Sequence, residues 1–252
     1  MSLHRLRDLN LTEFRAGMTV LDVGCGYGRE LQRLADLGCT PVGLDPFAEC
    51  VERGRRLGFS VHQGYAEHLP FADASFDGVI SQVALPYTND GQAVREIARV
   101  LKPGGVCYLS THGVGYYWLI LSQSRKWQRA CYSLRSIANT WIYRLTGKKL
   151  PKAFGDTIYQ SPRTLTYLAK QCGLEVAEHD TRDRFCGMPV FIYSTFRKPV
   201  TVHDEIVSAA STIEERLLTQ VRELSEAAQV DRATDEAIAD ERQARPLEKV
   251  GR

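Results

Sequence analysis

The 252-residue chain has no apolar run long enough to cross a bilayer. Its longest stretch free of charged residues, histidine and proline beside an apolar cluster is 113–124, interrupted by polar side chains, whereas a spanning helix needs about 20 residues. No apolar segment of the signal-peptide kind stands near the N-terminus, so no leader is expected. The seven cysteines are odd in number and form no CxxC pair, which argues against a disulfide framework or a zinc ribbon. A reducing setting suits them, and the expected localisation is cytoplasmic. With 20 Gly and 10 Pro and no repeats or low-complexity tracts, collagen and bulk disorder are excluded as well.

A further absence is local. No Asp or Glu occurs between Glu96 and Asp156, and residues 113–155 carry 8 basic and no acidic side chains. The same segment holds all three tryptophans, Trp118, Trp127 and Trp141. Residues 1–112 have 11 basic and 13 acidic side chains, and residues 203–252 have 7 and 12. The overall net charge of +2 is therefore an average over a mildly acidic domain, a cationic aromatic block and an acidic tail.

Apolar β-branched runs ending in glycine or turn residues predict strands at Met18–Val23, Thr40–Asp45, Phe59–Gln63, Phe76–Gln82 and Val106–Thr111. Helical spacing predicts helices at Glu30–Leu37, Ala48–Leu57 and from about Gly91 to Leu101. Such alternation implies an α/β fold, a parallel sheet with helices on both faces. Ser161 and Pro162 open a further helix to Gln171, after which Leu174–Thr181 and Val190–Arg197 read as two strands able to pair antiparallel.

Asp22-Val-Gly24-Cys-Gly26-Tyr-Gly28 joins the first strand to the first helix. Glycines there let the backbone turn sharply and approach a ligand without an intervening Cβ. The spacing is GxGxG rather than GxGxxG, and no GK[ST] follows, so neither a dinucleotide nor a nucleoside triphosphate is the first choice. Asp45 ends the second strand, where a carboxylate can accept hydrogen bonds from both hydroxyls of a ribose. The plainer alternative is a structural turn, with Asp45 capping a helix.

With VLDVGCGYG (Val20–Gly28), VGLDP (Val42–Pro46), AEHLPFADASFD (Ala66–Asp77) and REIARVLKPGGVCYLST (Arg95–Thr111), the chain resembles class I S-adenosylmethionine-dependent methyltransferases. The subgroup is the one containing quinone-biosynthesis and bacterial small-molecule enzymes. The resemblance covers 18–111 in detail and 161–198 in pattern. It implies a Rossmann-like, seven-stranded, mostly parallel sheet with antiparallel last strands, a helical insert after strand 5 and a C-terminal helix. The implied organisation is a methyltransferase domain over 1–200, with 113–155 as insert, and a tail over 201–252. It also implies S-adenosylmethionine as cofactor, with Gly24, Gly26 and Gly28 beside its methionine and ribose, Asp22 in support and Asp45 on the ribose hydroxyls. Ala66 and Glu67 fall at the adenine, and Ser81–Val83, including Gln82, near the sulfonium. The first strand begins so early that any N-terminal helical lid is short. Ser81–Tyr87 lacks the Asn-Pro-Pro-Tyr type motif, so nucleic acid is not an expected acceptor.

An oxygen acceptor gains from a general base. His112, after the fifth strand, is the first candidate and Tyr87 the second; a loop histidine satisfied by backbone is the alternative for His112. The histidines and carboxylates show no metal-ligand spacing, and no metal is expected. Cys25 is expected to pack rather than react.

The expected reaction is methylation of a small or lipid-linked metabolite, oxygen ahead of carbon or nitrogen. The alternative is a cofactor-binding scaffold or regulator without turnover.

Trp127, Cys131, Leu134, Ala138, Trp141 and Leu145 recur at spacings of three and four, an apolar helical stripe. Three readings stand for this insert. The stripe is the lid's own core beneath solvated Arg and Lys; the basic residues select an anionic acceptor; or an amphipathic element lies on the anionic inner face of a membrane. Ile206, Ala210, Ile213, Leu217, Val221, Leu224 and Ala228 predict an amphipathic helix over Val202–Val230, docked on its own domain or paired with a second copy as a homodimer.

Overall fold

The computed structural model describes residues 7–124, 126–150, 157–201, 204–206 and 216–220. The chain divides into two compact units, Met1–Pro199 and Val200–Arg252.

In the first unit, β1 (Thr19–Val23), α1 (Arg29–Asp36), β2 (Thr40–Asp45), α2 (Ala48–Arg56), β3 (Ser60–Gln63), β4 (Phe76–Gln82), α3 (Asp90–Val100) and β5 (Leu101–His112) follow in order, with a 3₁₀ turn at Leu85–Tyr87 before α3. The insert comprises α4 (Val114–Gln123) and α5 (Trp127–Thr146). After α6 (Pro162–Gln171) come β6 (Glu175–Asp180), the short hairpin of β7 (Arg184–Phe185) and β8 (Met188–Pro189), and β9 (Phe191–Arg197). The seven-stranded sheet has the order β3-β2-β1-β4-β5-β9-β6. Its first five members run parallel and β9 is antiparallel to both neighbours. This is the Rossmann-like fold that the motifs imply.

Strands buried on both faces read as nearly continuous apolar runs, and successive side chains serve opposite layers. Leu21, Val79 and Leu109 pack in the core cluster that contains Ile97 of α3 and Leu165 of α6. Their immediate neighbours Val20, Ile80 and Tyr108 join the opposite cluster, with Leu34 of α1. No helix precedes β1 among the described residues; Leu9, Leu11 and Phe14 are instead buried against that second layer. Gly78 of β4 makes room for Phe14, since a Cβ there would lie 2.1 Å from the ring. Ser161 caps α6 through the amide of Thr164, with Pro162 in the first turn.

Two features depart from the sequence reading. The Lys102–Gly105 turn signal lies inside β5, which runs from Leu101, and a register irregularity between Phe76 and Gly78 of β4 accommodates it. The apolar stripe of α5 is not a core. Trp127, Cys131, Leu134, Ala138, Trp141 and Leu145 are all exposed, while Ser133, Ser136, Asn139, Thr140 and Tyr143 are buried.

Hydrogen bonds explain the inversion. The Ser136 hydroxyl pairs with that of Thr157 at 2.7 Å, the Asn139 amide donates to the Thr157 carbonyl, and the amides of Leu150 and Tyr159 donate to Asn139 Oδ1 and Thr140 Oγ1. A returning chain segment with unpaired backbone groups must find partners when buried, and the polar face of α5 supplies them.

Of the second unit, 204–206 and 216–220 are helical, and Ile206, Leu217 and Leu218 are exposed. The rest of the helix expected over Val202–Val230 lies outside the described residues. Among the described residues, no helix is long and apolar enough to cross a membrane.

Candidate active site

At the carboxyl ends of parallel strands, side chains and loop amides converge where strand order reverses. Here a cleft of about 730 Å³ opens there, lined by Gly24, Asp45, Phe47, Tyr65, Ala66, Glu67, Gln82, Val83, Tyr87 and Lys149 among others.

The glycine turn forms its base. Gly24, Gly26 and Gly28 all have left-handed backbone, with φ of 80°, 50° and 84°. Gly24 and Cys25 donate their amides to the Leu44 carbonyl, which ties the turn to β2. A Cβ on Gly24 would stand 2.6 Å from the Ala84 Cβ, whereas one on Gly26 would meet open space. The small side chain of Cys25 packs in the cluster of Leu31, Val51 and Val61, and burial pushes its thiol pKa up, so it is held as the unreactive thiol.

Asp45 is almost fully buried. Its Oδ2 accepts from the Gly26 amide at 2.9 Å and its Oδ1 from the Phe47 amide at 3.0 Å. A carboxylate has about four acceptor positions. The Cys50 thiol also bonds to this carboxylate, and acceptor capacity remains for a hydroxyl donor entering the cleft.

Asp22 lies beneath the turn, buried, with Oδ1 lacking a hydrogen-bond partner. Burial first, and then the carboxylates of Glu30 and Asp45, push its pKa well above the ordinary carboxylate range.

On the opposite wall, Glu67 accepts from the amide of Asn89, the cap of α3, at 2.7 Å, and the Gln82 side-chain amide donates to the Arg7 carbonyl. Val83 carries φ of 61°, a conformation β-branched residues rarely adopt. The strain sits at the end of β4, in the cleft wall.

Gly24, Asp45, Ala66, Glu67, Gln82 and Tyr87 are thus brought together, with Gly26, Gly28 and Asp22 in support below. His112 is not among the lining residues. Its ring stacks on Tyr116 at 3.7 Å with an interplanar angle of 6°, meets Tyr117 edge-on and leaves Nδ1 without a partner. Burial lowers its pKa to about 4, which makes it a poor base at neutral pH. Among the described residues no group of three or more His, Cys, Asp or Glu side chains could hold a metal ion.

Phe47, Tyr65 and Thr88 line the cleft without having been singled out in sequence. Phe47 follows the Asp45-Pro46 pair directly, a local signal. Lys149, one of the basic residues of the insert, lines it too, reaching the wall from the far end of the insert, where its Nζ donates to the Thr88 carbonyl.

Residues 21–109 match the family described as a methyltransferase domain. That stretch of the chain is a methyltransferase domain. Malonyl-[acyl-carrier protein] O-methyltransferase of Yersinia pestis is 35% identical to this chain over 115 residues, 44% of this chain and 42% of that protein. The stretches matched in four such curated relatives span 22–42% of their own lengths.

A solved S-adenosylmethionine-dependent methyltransferase from Methanosarcina mazei superimposes with a TM-score of 0.56 at 21% identity, over 76% of this chain and 97% of that one. The [4+2]-cyclase SpnF superimposes with a TM-score of 0.53 at 20% identity, over 75% and 78% of the two chains. At these identities the likeness is one of fold. S-adenosylmethionine is the cofactor that the methyltransferase domain implies, and the acceptor capacity of the Asp45 carboxylate and the open space at Gly26 suit its hydroxyls and its methionine portion.

Proposed function

We propose that the chain transfers a methyl group from S-adenosylmethionine to an oxygen of a small or lipid-linked metabolite, and that this oxygen is anionic. Asp45 would hold the ribose hydroxyls, the glycine turn the methionine portion, and Phe47, Tyr65, Ala66 and Glu67 the adenine. Bound there, the cofactor supplies a methyl group on a positively charged sulfur. The chain's own contribution is to hold the acceptor in line and exclude water.

The observation that carries the reading is the makeup of the cleft wall. Tyr87 and Lys149 are among its lining residues and His112 is not, which supports an acceptor held by a cation rather than deprotonated by a histidine. A carboxylate or phosphate oxygen is already nucleophilic and needs no base, while Lys149 would counter its charge. The relative from Yersinia pestis is by its name an O-methyltransferase acting on a malonyl group, which supports the same choice.

The second reading, a cofactor-binding scaffold or regulator, draws on the same lack of a well-placed base. Incubation with methyl-labelled cofactor and a panel of carboxylic acids, phosphates, phenols and amines separates the two. Labelled ester is expected from the acids. Cofactor binding without label on any acceptor would favour the scaffold.

A further inference from the structure

Helix α5 is turned inside out for a helix of a water-soluble domain. Its polar face is fixed inward by the bonds to Thr157, Leu150 and Tyr159, and by Tyr143, whose hydroxyl lies 3.0 Å from both Asn89 Oδ1 and Asp90 Oδ1. Arg144 adds an ion pair to the buried Asp90 at 2.6 Å and a hydrogen bond to Gln160. Rotation of the stripe into the core would break all of these contacts. The stripe therefore stays outside, with Trp127 73%, Leu134 53%, Trp141 61% and Leu145 81% exposed. Trp118 of the neighbouring α4 adds a further exposed ring. A contiguous apolar face of this kind marks an interaction surface.

Charge decides between partners. Lys126, Arg129, Arg135 and Lys148 are exposed around the stripe, and residues 113–155 contain no acidic side chain at all. A second copy meeting this face about a two-fold axis would oppose cation to cation. A nucleic acid would engage the Lys and Arg but leave the aromatic and leucine side chains in water. Both halves of the pattern are satisfied together at the headgroup level of a bilayer, where Trp and Leu enter the acyl boundary and Lys and Arg meet anionic lipid. From Trp127 to Leu145 the stripe is about 27 Å long at the helical rise of 1.5 Å per residue, enough for a helix lying in the membrane plane.

We propose that the outer face of α5 binds the surface of an anionic lipid bilayer. The proposal stands apart from methyl transfer and concerns side chains outside the cleft wall.

Flotation of the full chain with phosphatidylcholine vesicles, with and without phosphatidylglycerol, tests it. The chain is expected to rise with the anionic vesicles at low salt, to remain below with phosphatidylcholine alone, and to be released by salt. Trp141→Ala with Leu145→Ala should weaken the partition about tenfold or more through lost apolar burial, and Lys126→Glu with Arg129→Glu should remove the preference for anionic lipid. Unchanged cofactor affinity in both variants shows that they fold. The proposal is overturned if the chain stays below with anionic vesicles at low salt, or if the Ala variant floats as well as the parent. It is also overturned if sedimentation shows a dimer, or duplex DNA a complex, that the Ala variant abolishes.

Discussion

Gly24 and Ala84 approach so closely that a Cβ on the glycine would stand 2.6 Å from the alanine Cβ. The contact joins the turn after β1 to the residue following strained Val83 at the end of β4, so the two walls of the cleft are set against each other by the absence of one carbon. Gly24→Ala should separate them and, with the left-handed φ of 80° at this position, cost about 2–4 kcal/mol. Urea denaturation would read the loss, and cofactor affinity should fall further than stability alone explains.

Asp45→Asn keeps the shape but halves the acceptor capacity that the Gly26 and Phe47 amides already use. Cofactor affinity should drop by about 10–100-fold, with a stability loss of about 1–3 kcal/mol from the compromised amide pairing. A variant binding as tightly as the parent would place the ribose elsewhere.

Arg144 ties the insert to α3 through Asp90, whose carboxylate is buried. Arg144→Met leaves that charge uncompensated and should destabilise the chain by about 2–3 kcal/mol, while adding Asp90→Asn should recover part of the loss. A double-mutant cycle in thermal unfolding measures the coupling.

His112 gives the fold a pH dependence. Burial holds its pKa at about 4 in the folded chain, below the ordinary 6.5, so the unfolded chain takes up a proton that the folded chain refuses. The resulting stability is fully present above about pH 6.5 and is lost as pH falls toward 4, by about 2 kcal/mol between pH 7.5 and 5. Comparing His112→Phe with the parent across that window isolates the contribution; equal slopes would contradict it.

Lys149→Met should raise the KM for a carboxylate or phosphate acceptor about tenfold with little change in cofactor affinity. Equal KM values would move the acceptor's charge away from this wall.

The sheet was legible because parallel strands buried on both sides leave uninterrupted apolar runs, as in Val106–Leu109, and because glycines or turn residues mark their ends. The residues expected to hold the cofactor gather at one cleft for a local reason: Gly24, Gly26, Gly28, Asp45, Ala66 and Glu67 each stand at the end of a strand or a few residues beyond it. The insert was not legible in this way. Periodicity identifies the faces of α5 but not which one turns inward, and the deciding partners, Thr157, Tyr159, Gln160 and Asp90, lie 16 to 54 residues away along the chain. His112 misled for a similar reason, since its position after β5 says nothing of the Tyr116 ring that stacks over it.

The central claim is that the cleft beside the glycine turn binds S-adenosylmethionine through Asp45. Isothermal titration of the intact chain with the cofactor tests it most directly. One-site binding that Asp45→Ala abolishes is the predicted result; no heat from the intact chain, or equal binding by the variant, would contradict it.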